Sequence, residues 1–174
     1  MKPVAMVSRD AESLVVHLQV TCDAPHLPEA AELVAWAEAA VRESGCAVAA
    51  SAELVLRVVD ERESQQLNRD FRGKDRPTNV LSFPSDLESM PGLPTAVAPQ
   101  LGDVVLCAAV VAREAKEQGK QIADHWGHLV VHGTLHLLGF DHQNSDEADT
   151  MEALETRILG ARGVKNPYES GPLC

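Results

Sequence analysis

Apolar and polar residues alternate along this chain with two distinct periods, and each change of period marks an element boundary. Between Glu12 and Val20 the apolar positions Leu14, Val16, Leu18 and Val20 recur every second residue, the pattern of a half-buried strand. From Pro28 the spacing lengthens: Leu33, Ala37, Ala40 and Val41 share one face of a predicted helix that runs to about Ser44 and stops at Gly45. Glu53 to Val59 reads as a second strand. Asp60, with Glu63 three residues on, is an N-cap signal for a short helix ending before Gly73. Thr78 to Phe83, bounded by Pro77 and Pro84, reads as a third strand. Ser85 to Gln100 contains Pro91, Gly92, Pro94 and Pro99 and is expected to be a flexible loop without regular structure. Gly102-Asp103 leads into a fourth strand at Val104 to Leu106. Helices follow at about Ala108 to Gln118 and Ile122 to Leu138, and a last one, capped by Ser145, carries Met151, Leu154 and Ile158 up to Gly160.

The order βαβαββααα points to an α+β (mixed α/β) fold in which a central mixed sheet of about four strands packs against helices. A length of 174 residues suits one domain spanning 1–174, with a loop at about 85–100 and a tail at about 169–174. Hydrophobic and charged contents of 45% and 24% place the chain among folded soluble proteins rather than disordered ones. Its longest apolar stretch, Val104 to Ala112, is well short of the ~18 residues of a spanning helix. Val4 to Val7 is cut off by Ser8, Arg9 and Asp10, so no signal-peptide core is expected, and the expected location is cytoplasmic with no membrane partner. Cys22, Cys46, Cys107 and Cys174 stand far apart without a Cys-x-x-Cys pair and are expected to be free thiols, although a thiolate could also serve as a metal ligand.

The candidate chemistry lies in one stretch, His132-Gly-Thr-Leu-His-Leu-Leu-Gly-Phe-Asp-His142. Residues four apart on a helix project from one face, so His132 and His136 form a pincer. Gly139 lets the backbone leave the helix through a left-handed conformation, and a short turn can bring His142 to the same point. Three imidazoles that leave a fourth position open are the ligand set of a catalytic zinc ion, whose bound water is acidified toward ~7. His128 and His132 are also four apart. Their third ligand, however, would be a distant residue or His136, and two helical turns span ~11 Å, too far for bonds near ~2.1 Å to one ion. His125 and His128 are therefore read as supporting or structural, and Asp124 and Asp141 as residues that could orient a ligand imidazole. The spacing resembles the zinc-peptidase signature His-Glu-x-x-His-x-x-Gly-x-x-His, but Gly133 stands where that signature has its general base.

A net charge of −11 argues against nucleic acid as a partner. The charge is uneven, however: Arg69 to Arg76 holds four bases against two acids, whereas Asp141 to Arg157 holds six acids and one base. On charge alone Arg72 and Lys74 read as part of a solvated turn.

Taken together, Phe71-Arg-Gly-Lys-Asp-Arg-Pro-Thr-Asn-Val-Leu-Ser-Phe-Pro84, Leu101-Gly-Asp-Val, His125-Trp-Gly-His and the 132–142 motif resemble the bacterial YbeY family of endoribonucleases and rRNA maturation factors, over about Leu54 to Tyr168. The resemblance implies one Zn2+ held by His132, His136 and His142. It implies an activity-determining arginine, Arg72, in an RNA-facing groove, and makes Arg72, Lys74 and Arg76 the candidate substrate-binding residues. It further implies a role in 16S rRNA 3′-end maturation and ribosome quality control, with small-subunit proteins and the Era GTPase as partners. A guanidinium that grips two phosphate oxygens beside a metal suits phosphodiester cleavage. Two other functions compete with this one: a non-catalytic ribosome assembly factor with a structural zinc, and a metallopeptidase relative, which Gly133 disfavours.

Overall fold

A computed structural model of the protein describes residues 5–7, 14–49, 51–85 and 100–169. Strands β1 (Ala5–Val7), β2 (Val15–Val20), β3 (Glu53–Val59), β4 (Val80–Pro84) and β5 (Gln100–Cys107) form one sheet in the order β1-β2-β3-β5-β4. The helices are α1 (Ala30–Glu43), α2 (Glu61–Arg72), α3 (Ala108–Glu117), α4 (Ile122–Leu137) and α5 (Ser145–Ala161). The architecture is the expected α+β one, with the short β1 added to the four anticipated strands. Its three middle strands, β2, β3 and β5, run parallel, and β1 and β4 are antiparallel to their neighbours. Parallel neighbours need crossover connections, and α1, between β2 and β3, provides one of them.

The alternation read in the sequence becomes burial. Val16 and Leu18 of β2, Leu54, Leu56 and Val58 of β3, and Val104 and Leu106 of β5 are buried in one core with α1, α4 and α5. On the other face Val59, Leu81 and Val105 make a smaller cluster, against which Leu67 of α2 and Phe83 pack. Helix α4 is buried along nearly its whole length, as expected of a helix that is apolar on most sides. Two glycines let its neighbours close in. A Cβ on Gly127 would stand 2.5 Å from the Trp36 ring of α1, and one on Gly133 would stand 2.5 Å from Val104 Cγ1.

Several element boundaries differ from the sequence reading for local reasons. Glu29, extended at ψ 150°, is the N-cap of α1, so Pro28 precedes the helix instead of opening it. Asn144 rather than Ser145 caps α5, its side chain accepting from Glu147 N at 2.9 Å. The fourth anticipated strand starts earlier, at Gln100, because Pro84 and Phe83 of β4 pair with Gly102 and Asp103. Asp60 caps α2 as anticipated, accepting from Glu63 N at 2.9 Å. Most of the predicted 85–100 loop, nearly all of the tail and the start of the first predicted strand lie outside the described residues. Cys22, Cys46 and Cys107 are free thiols, and Cys174 lies outside the described residues. Among the described residues no helix is long and apolar enough to cross a membrane.

Candidate functional site

Helix α4 presents His132 and His136 one turn apart, and their Nε2 atoms stand 3.1 Å from each other. The helix ends at Leu137, and Gly139, at φ 97°, turns the chain back in a conformation that an L side chain rarely adopts. Three residues later the exposed His142 ring reaches the pincer, with centroids 5.9 Å from His132 and 5.1 Å from His136. One ligand atom from each of the three lies within 4.8 Å of the others. Two nitrogens bound at ~2.1 Å to one tetrahedral ion stand roughly 3.4 Å apart, so the 3.1 Å pair already has the spacing that such an ion requires. Burial, and then the neighbouring His132 and His142, lower the His136 pKa to about 4. Its imidazole is therefore neutral at pH 7 and offers a lone pair.

Behind this trio stands Glu155, whose importance the sequence reading missed. Its side chain is fully buried. Oε1 accepts from His132 Nδ1 at 2.7 Å and Oε2 from His128 Nε2 at 2.8 Å, while the Tyr168 hydroxyl donates to Oε2. Burial alone would raise the Glu155 pKa, but the hydrogen bonds from His128 and His132 outweigh it and hold the value at about 2. Burial and the adjacent carboxylate push the Tyr168 hydroxyl up, so it remains a donor. A carboxylate that takes the Nδ1 proton of His132 fixes the tautomer and leaves the Nε2 lone pair facing His136 and His142. His128, His132 and Glu155 also lie close enough together to hold an ion. Their facing atoms, however, already satisfy one another as hydrogen-bond partners, and the His132-His136-His142 trio is the one open to solvent through His142.

Of the other residues anticipated near the site, His125 is turned away and pairs with Glu114 on α3 at 2.8 Å. His128 acts through Glu155. Asp141 Oδ1 accepts from the backbone N–H of His142 at 2.7 Å and so stiffens the turn that carries this imidazole. Asp124 contacts neither metal group; Glu155 occupies the orienting position instead. Gly133 faces the sheet, not the site, and its carbonyl accepts from Ser82 Oγ at 2.9 Å.

The basic loop meets the histidines at one point. Arg72, the last residue of α2, lines a cavity of about 250 Å³ with Ser82, Pro84, His136, Gly139, Phe140 and Asp141. Gly73, at φ 68°, closes α2 directly after it. Arg72, Lys74 and Arg76 are exposed, and among the described residues none of their side chains has a hydrogen-bond or ion-pair partner. Lys74 and Arg76 are not among the residues lining this cavity. His136 of the trio and the Arg72 guanidinium, which has no side-chain partner among the described residues, line one small open cavity, an arrangement that can hold a cation and an anionic group side by side.

The chain is also similar to known proteins. A family model described as Endoribonuclease YbeY matches residues 21–163. The Endoribonuclease YbeY of Halorhodospira halophila (strain DSM 244 / SL1) is 56% identical over 142 residues, 82% of this chain and 88% of the relative. That of Alkalilimnicola ehrlichii (strain ATCC BAA-1101 / DSM 17681 / MLHE-1) is 51% identical over 160 residues, 91% of this chain and 93% of the relative. Among solved structures, the solution structure of TM1509 from Thermotoga maritima aligns with a TM-score of 0.47 at 23% identity, covering 83% of this chain and 91% of that one.

Proposed function

Because the chain belongs to the Endoribonuclease YbeY family, we propose that it is a metal-dependent endoribonuclease acting on single-stranded ribosomal RNA, with His132, His136 and His142 holding one zinc ion and Arg72 binding the scissile phosphate. The observation that supports this most directly is the placement of Arg72 and His136 on one cavity wall. When bound, a zinc ion would supply Lewis acidity, neutralising charge on a phosphoryl oxygen and making water a better nucleophile.

The residues contribute the rest. Glu155 holds His132 in the ligating tautomer. The Arg72 guanidinium offers a planar fork to two phosphate oxygens and meets the negative charge that grows as the P–O bond breaks. Among the described residues it has no ion pair to give up before it takes a phosphate. Lys74 and Arg76 extend the positive potential along the strand, outside the cavity. Gly133 packs against the sheet and leaves no room for a peptidase-type base, which disfavours the peptidase reading. The exposure of His142 favours a site open to substrate over a closed structural zinc.

By family resemblance the substrate is the 3′ region of 16S rRNA, and the setting is ribosome maturation and quality control with small-subunit proteins and the Era GTPase. The test is cleavage of a short RNA spanning that 3′ end by zinc-loaded protein, beside folded His132→Ala and Arg72→Glu variants. Cleavage by the wild type alone is expected. Equal cleavage by all three overturns the assignment.

A further inference from the structure

Among the described residues Phe71 is the one large hydrophobic side chain left exposed, at 68%. A single exposed apolar residue is ordinary on a protein surface. This one differs in its setting. Its ring is propped edge-on against Phe83, with centroids 5.0 Å apart and planes at 68°, so it is held in place without being covered. It directly precedes Arg72, and Lys74 and Arg76, without side-chain partners among the described residues, follow within five residues. The protein's other aromatic rings are committed elsewhere. Trp36 and Trp126 are buried, Tyr168 is bound to Glu155, and Phe83 and Phe140 pack against the two cores.

We propose that Phe71 is a stacking platform for an unpaired base of the RNA strand whose phosphate sits at Arg72. The proposal rests on the ribonuclease function proposed above and adds a residue that selects the form of the substrate. Neighbouring helical positions diverge by about 100°, so the ring and the guanidinium address different parts of one nucleotide segment. A phosphate grip alone does not distinguish single strands from duplexes. A free aromatic face does, because bases in a duplex are already stacked and paired, and every base has a π-face, which makes the contact tolerant of sequence. Surrounding positive charge keeps the strand in place on an otherwise acidic protein.

The test measures binding of a short single-stranded RNA, and of the matching duplex, to zinc-loaded protein by fluorescence anisotropy. Phe71→Ala should weaken single-strand binding by roughly 5- to 100-fold and leave duplex binding unchanged. Phe71→Trp should bind at least as tightly as the wild type, whereas Phe71→Leu, apolar but without a π-face, should stay weak. Removing one base at a time from the RNA should reveal a position whose loss costs the wild type affinity but costs Phe71→Ala nothing. If Leu restores binding as well as Trp, or if no abasic position couples to Phe71, the stacking role is overturned; a loss in Arg72→Ala in that same series would leave the ribonuclease function standing. If the wild type neither binds nor cuts the single strand, both fall together.

Discussion

Replacing Glu155 by glutamine keeps the shape of the side chain and removes what three donors rely on. Three groups, His132 Nδ1–H, His128 Nε2–H and the Tyr168 hydroxyl, converge on its two oxygens. Glutamine offers one oxygen and one NH2, so at least one of the imidazoles must face a donor and change tautomer or turn away. If His132 yields, its Nε2 becomes protonated and is lost as a ligand. Exchanges of this kind behind a metal ligand typically cost 10- to 100-fold in metal affinity. There is also a cost without metal. A carboxylate whose pKa falls from 4.5 to about 2 on folding stabilises the native state by ~3 kcal/mol at pH 7, at about 1.4 kcal/mol per unit. The sign follows from the depressed value: the contribution is complete above the unfolded pKa and is lost as pH falls through about 2. Zinc affinity of Glu155→Gln measured by competition with a chelating dye should drop by the stated factor. The difference in unfolding free energy from the wild type, measured on apo protein, should shrink as pH is lowered from 4.5 toward 2. Equal zinc affinity in the two proteins, or a stability difference independent of pH, would refute the assignment of Glu155 as the anchor of His132.

Gly133→Ala should destabilise the protein by about 1–3 kcal/mol in denaturant titration, because its Cβ would drive into Val104 where helix and sheet touch. Little or no change would mean that α4 can retreat from the sheet without penalty. Asn144→Ala removes the cap of α5 and should cost ~1 kcal/mol by the same measurement, with a smaller loss of zinc affinity than Glu155→Gln, since the helix that carries Glu155 frays only at its start.

The His132 and His136 pair was legible because helical spacing is a local property, and Gly139 was legible as the turn because few residues reach φ 97° at low cost. Glu155 was hidden. It is one of six acids between Asp141 and Arg157, and only its position separates it from the rest. It stands four residues after Met151 and three before Ile158, on the stripe that α5 buries, where a charge must have partners. An acid on an apolar stripe was the available signal. Its partners, on α4 and at Tyr168, are brought near by tertiary packing, which no periodicity records. The meeting of Arg72 with His136 was unreadable for the same reason: 64 positions separate them in the chain, and β4 bridges the gap. The choice between Asn144 and Ser145 as cap was a one-residue matter that spacing alone does not settle, because both side chains can cap a helix.

The order in which the site's parts occur along the chain bears on when activity begins. His132, His136 and His142 all precede Glu155 and Tyr168, so in a growing chain the three imidazoles are made before the carboxylate that sets the tautomer of His132. Until α5 and the turn holding Tyr168 have emerged and docked, His132 has no enforced proton position. The geometry of the trio is therefore completed from its C-terminal side, by a helix and a turn that are made after the imidazoles they organise.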